Sequence, residues 1–197
     1  MKRNLFVLVL LVIMLVGSFV SCDMGQEGNG NVVSQKRTVE GFDGITLGGA
    51  GNVNVHTGEN FKVIVRTDCN LQDRVVTAVN GNTLRIDQIP GNFNASELTI
   101  NVYMPELKNI SLSGAGIITI IAGSTSEMNF SLSGVGNINA QDFQVENITI
   151  SLSGVGNARI WATNTLDGTL SGVGNIFYKG SPAININRTG IGNIRPL

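Results

Sequence analysis

The sequence predicts an all-β protein: a single-domain β-solenoid, β-helix-like, with about 18–20 residues per repeat in the C-terminal half and a more irregular β arrangement in the N-terminal half. Three observations carry this expectation. A Ser-Leu-Ser-Gly-x-Gly-Asn unit recurs five times, in whole or in part, between Ser111 and Asn193. The residues between its copies alternate apolar with polar, which is the period of a strand and not of a helix. Glycine makes up 25 of 197 residues and charged side chains only 14%. Against a usual glycine share of about 7%, that composition predicts many tight turns and few surface helices.

At the amino terminus, Met1-Lys2-Arg3-Asn4 precedes an apolar run from Leu5 to Val20, interrupted by Gly17 and Ser18. Residues 1–21 therefore have the layout of a signal peptide, and the run is short for a spanning helix, which needs about 20 apolar residues. The segment Phe19-Val20-Ser21-Cys22 resembles the lipobox of bacterial lipoproteins, with Phe19 where an aliphatic residue is usual. That resemblance implies lipidation of Cys22, which would become the first residue of the mature chain. Residues 22–36 then read as the lipidated cysteine and a polar, Gly-rich flexible tether, and residues 37–197 as the folded domain. Several acyl chains on one cysteine would anchor the domain to a membrane without a spanning helix. The expected location is the bacterial cell envelope, membrane-anchored, periplasmic or at the cell surface; a soluble secreted protein cleaved nearby is the alternative.

Without Lys2 and Arg3 the chain keeps 11 basic against 14 acidic side chains, a formal charge of −3, so nucleic acid is not an expected partner. If Cys22 carries lipid, Cys69 is left alone and is expected to be a buried thiol. The single histidine, His56, has no cysteine or metal-ligand cluster near it in sequence. No catalytic residue, metal or cofactor is predicted.

In the first half, strands are predicted at Asn52–His56, Phe61–Arg66, Val75–Val79, Thr83–Asp87 and Leu98–Met104. Thr57-Gly58-Glu59-Asn60 and Val79-Asn80-Gly81-Asn82 suit hairpin-like reversals, and Asp43, Asp68 and Asp87 read as turn and strand-edge residues. These strands fit either extra coils with longer loops or a sheet packed beside the coils. Leu47-Gly48-Gly49-Ala50-Gly51-Asn52 echoes the later repeat and favours one merged domain.

In the second half, the first glycines of the units, Gly114, Gly134, Gly154, Gly172 and Gly190, are spaced 20, 20, 18 and 18 residues apart. Leu112, Leu132, Leu152 and Leu170 are expected to form an inward column. Each pair, Gly114 and Gly116, Gly134 and Gly136, Gly154 and Gly156, Gly172 and Gly174, Gly190 and Gly192, would kink the chain and allow close backbone approach. Val135, Val155, Val173 and Ile191 are expected to refill the core after the kink. Asn137, Asn157, Asn175 and Asn193 suit a turn position and would stack as a structural polar ladder. Arg188 replaces the leucine in the last copy, which reads as a terminal cap, and Pro196 discourages further pairing.

Trp161, Phe177 and Tyr178 follow the glycine units of adjacent copies and are the candidate contact for a glycan or protein ligand, with core packing as the competing role. After Leu107 the only acids are Glu127, Asp142, Glu146 and Asp167. They do not recur at one repeat position, as a polysaccharide-cleaving carboxylate pair or a calcium-binding repeat would require.

Glu40-Gly41-Phe42-Asp43-Gly44-Ile45, followed by a strand-rich half and then by repeated Ser-Gly-x-Gly-Asn units, resembles the head GIN domain family of autotransporter adhesins, from Arg37 to Leu197. The resemblance implies a β-helix-like domain behind a signal peptide or lipobox in bacteria of Bacteroidetes type, and no catalytic residues. The leading expectation is a lipid-anchored, non-catalytic, adhesin-like binding domain, with a membrane, a glycan or protein ligand and a second copy of itself as partners. A self-associating envelope scaffold is the alternative, and a polysaccharide-acting β-helix enzyme the third reading.

Overall fold

A computed structural model describes residues 26–197, so Cys22, the signal segment and the start of the tether lie outside the described residues. Fifteen strands join in one large mixed sheet that wraps, nearly closed and barrel-like, around a hydrophobic core. Gln26–Glu27 and Phe93–Asn94 form a separate small pair.

The repeat sets the parallel part of the sheet. Leu47, Leu112, Leu132, Leu152 and Leu170 face one another in register across successive parallel strands, and all are buried. After the glycine corner, a second row stacks Ala50–Thr57, Ala115–Ile120, the starts of Val135–Leu152 and Val155–Leu170, Ile176–Lys179 and Ile194–Pro196. An 18-residue strand such as Val135–Leu152 would run about 60 Å if straight. Register shifts between Ala140 and Gln144 and between Val145 and Asn147 bend it round the core. Phe143 and Val145 are buried in this bend, paired with Gly123 and Thr125 of the layer before.

At each corner the backbone of one layer is bonded to the last. Ser133 N–H and Gly134 N–H both donate to the Leu112 carbonyl at 3.0 Å, and Val135 N–H donates to Gly114 O at 2.9 Å. The pattern repeats at Ser153 and Gly154, at Ser171 and Gly172, and at Thr189 and Gly190. A Cβ on Gly134 would overlap the Gly114 carbonyl oxygen, and Gly136, at φ +146°, would meet that of Gly116. Both glycines of the unit are therefore steric requirements of the stack.

Val135, Val155, Val173 and Ile191 do not refill the core; they are 59%, 51%, 48% and 74% exposed. The in-out alternation runs unbroken through the corner from buried Leu132 to buried Ile138, which leaves the residue between the glycines outside. The asparagines stack beside them. Asn157 N–H and Nδ2 both donate to Asn137 Oδ1 at 3.1 Å, Asn175 does the same to Asn157 at 3.1 and 3.0 Å, and Asn193 N–H donates to Asn175 Oδ1 at 3.0 Å.

The first half joins the same sheet, partly as layers and partly as antiparallel edges. Gly44–Leu47 and Ala50–Thr57 pair in parallel with Asn109–Leu112 and Ala115–Ile120, and on their other side with Thr83–Gln88 and Leu98–Met104. Val75–Asn80 closes one row as an antiparallel hairpin through Asn80-Gly81-Asn82, with Gly81 at φ +57°. The turn at Thr57–Asn60 makes no hairpin, because Leu98–Met104 inserts between Ala50–Thr57 and Lys62–Asp68 and pairs with both. The segment expected as tether also differs. Val32–Arg37 is a strand, antiparallel to Lys62–Asp68, because that neighbour offers it a free edge.

Cys69 is exposed, not buried. It opens the short 3-10 turn Cys69–Arg74, which buries Leu71 and Gln72 in its place. The Gln72 Nε2 donates to Val33 O and Val65 O, tying the turn to the edge strand Val32–Arg37 and to its neighbour Lys62–Asp68.

Candidate functional site

The outer face of the last three layers of the second row collects cations and aromatic rings. Ile160 and Ile176 are buried, so alternation turns Arg159, Trp161, Phe177 and Lys179 outward. Register places Phe177 between Arg159 of the layer before and Arg195 of the layer after, and Lys179 opposite Trp161. The side chains follow. The Arg159 and Arg195 guanidinium carbons lie 5.2 and 4.9 Å from the Phe177 ring centroid, and Lys179 Nζ lies 3.8 Å from that of Trp161. The pattern is a checkerboard in which each ring is flanked by a cation of the adjoining strand.

None of these three cations has a described carboxylate within ion-pair distance. From Asn147 to Leu197 the side chains include Arg159, Lys179, Arg188 and Arg195 but only one acid, Asp167. Of the three predicted contact residues, Trp161 and Phe177 are half-buried on this face. Tyr178 is not on it; register sets it beside Ile160, and it packs against the core. The sequence singled out the rings, but the cations escaped it because their meeting depends on the 18-residue offset between strands.

The other end carries a smaller group, in which His56 stacks on Tyr103 at 4.4 Å with Lys62 Nζ 4.7 Å from the Tyr103 ring. A separate cleft in the first half is lined by Phe61, Asp43, Glu106 and Lys108 among others. There Lys108 is held by Glu106 and Asp43 at 3.4 and 3.5 Å, and its pKa is raised by those partners, Glu106 first. Its charge is already matched. Among the described residues no three His, Cys, Asp or Glu side chains converge as a metal site would need. Among them, too, no helix is long and apolar enough to cross a membrane.

The structural repeat residues sit in two places: the leucines in the core column and the glycines and asparagines along the corner. Arg188 lies in register with Leu170 at the open end, exposed, with Nη1 donating to Gly192 O at 2.8 Å.

Fold and face thus define an all-β protein built on one large mixed sheet, with a cationic outer surface at one end. A family model described as "Putative auto-transporter adhesin, head GIN domain" matches residues 41–122 and again 109–182. The chain belongs to that head GIN domain family, which is not known to be catalytic. Among solved structures, a "putative adhesin" of Bacteroides fragilis NCTC 9343 is 22% identical, covers 88% of this chain and 100% of its own, and superposes with a TM-score of 0.59. A "putative adhesin" of Parabacteroides distasonis ATCC 8503 is 21% identical over 87% of this chain and 99% of its own, with a TM-score of 0.41. The first likeness shows the fold. No curated protein matches the chain.

Proposed function

We propose that this chain is a non-catalytic binding domain of adhesin type, held in the bacterial envelope by a lipid on Cys22 and presenting its cationic, aromatic end outward. In this reading the in-register layers are coils of a β-solenoid, supported by the 20- and 18-residue offsets of the parallel pairs. One observation carries it. The first strand of the large sheet, Val32–Arg37, lies at one end of the second row, and the Phe177 face lies at the other. Six steps separate Leu98–Met104 from Ile194–Pro196, about 29 Å at about 4.8 Å per step. A tether leaving from residue 26 would therefore anchor one end and expose the other.

The test is binding of the purified full-length chain to arrays of glycans and matrix proteins, with fatty-acid labelling of cells carrying the wild type or Cys22→Ser. Capture of a foreign ligand and loss of label in the variant are expected. A chain that binds only itself would instead favour the scaffold reading. That reading is supported by the open last layer, where Ile184 is 44% exposed and Ala183–Arg188 pairs on one side only.

A further inference from the structure

We infer that the face around Phe177 binds an acidic polysaccharide, a polymer of sugars carrying carboxylate or sulfate groups, with Arg159, Lys179 and Arg195 as its anion contacts. The inference rests on the binding reading above and names its ligand class.

The starting point is that three cations share one outer face without a described carboxylate partner, in a chain whose formal charge is −1. A cation left unpaired on a surface usually samples many rotamers, and holding it costs entropy when an anion binds. Here the rings hold the heads in place, with Phe177 between two guanidinium groups and Trp161 under the Lys179 ammonium. Cation–π contact orients the charge without neutralising it. The heads thus remain available to an anion that approaches from solvent, and the guanidinium groups suit bidentate pairing with carboxylate or sulfate.

Spacing and number select among polyanions. Arg159 and Arg195 belong to strands two steps apart, about 10 Å along the stack, comparable to a disaccharide unit. An acidic polysaccharide offers an anion at such intervals, with apolar ring faces between that can lie against the exposed edges of Trp161 and Phe177. Nucleic acid has a far denser line of phosphates and calls for a broad basic footprint. Membrane surfaces are read by clusters of about 4–8 basic residues. Three cations in a stripe fall short of both.

The experiment measures affinity of the full-length chain for polygalacturonate, for its carboxyl-reduced neutral counterpart, for phosphatidylglycerol vesicles and for duplex DNA, at about 50 and about 300 mM salt, a range over which the screening length shortens roughly 2.4-fold. Polygalacturonate should bind and weaken roughly tenfold or more at the higher salt, and the neutral polymer should not bind. Arg159→Gln with Arg195→Gln should lower affinity roughly tenfold or more and flatten the salt dependence. Trp161→Ala should lower affinity several-fold while leaving the salt dependence intact, since it removes the support and not the charge. Arg85→Gln, on the other row and paired with Asp87, should change nothing, and circular dichroism should show each variant folded.

Equal binding of the neutral polymer overturns the acidic class while leaving the adhesin reading in place. Tighter binding of vesicles or DNA than of polygalacturonate overturns it in favour of those surfaces. Capture of matrix proteins alone on the arrays rejects the polysaccharide but keeps a binding domain, and silence on every surface rejects both.

Discussion

Asp68 is fully buried, yet its carboxylate is well supplied with donors: Gly30 N–H at 2.7 Å, Ser96 N–H at 2.7 Å and the Ser96 hydroxyl at 3.0 Å. Burial works to raise its pKa, and the hydrogen bonds from Ser96 and Gly30 outweigh it, so the carboxyl titrates below the ordinary aspartate value. A folded pKa below the unfolded one contributes stability that is present above the unfolded value and lost as pH falls through the folded one. The melting temperature should therefore drop as pH falls below about 4, and less steeply in Asp68→Asn; parallel wild-type and variant profiles would contradict this role. The asparagine ladder offers a second single-residue test. Asn157→Ala leaves the half-buried Asn175 N–H without its acceptor, which should cost roughly 1–3 kcal/mol in chemical denaturation.

Among the elements, the repeat was legible because steric need writes it: two glycines per corner, one leucine per layer. Leu132→Ala should cost about 2–5 kcal/mol, since its column neighbours Leu112 and Leu152 are backbone-bonded in place and cannot collapse into the gap. An urea titration showing under about 1 kcal/mol would mean the column is loosely packed. What stayed hidden has physical reasons. Val135 and its equivalents lie outside because the two glycines carry the strand alternation on through the corner. Cys69 looked like a small buried residue, but the turn it opens inserts Leu71 instead. The insertion of Leu98–Met104 between two earlier strands leaves no mark in local sequence, since pairing over such distances is decided by the sheet. At the open end, Arg188 ends the leucine column in charge. Arg188→Leu should make the chain self-associate in a concentration-dependent way under sedimentation, because it extends an apolar column to an unpaired edge.

Over the whole molecule, charge is distributed unevenly along the chain. Twelve of the acids among residues 26–197 precede Asn147, leaving Asp167 alone to face four basic side chains in the closing layers. Residues 26–146 thus carry twelve acids against seven bases, and residues 147–197 one acid against four. The basic excess of the closing layers favours approach of an anionic ligand to that end. The cationic face itself could not be read along the chain: Arg159, Phe177 and Arg195 become neighbours only through strand register.

The corner makes the chain extensible. Since Ser-Leu-Ser-Gly-Val-Gly-Asn at 131–137 and 151–157 is the same text in the same bonding pattern, tandem duplication of residues 131–150 should be accepted as one more rung, lengthening the particle by about 4.8 Å in small-angle scattering. The length of the stack would then be a heritable quantity, adjustable in whole units by copying twenty codons.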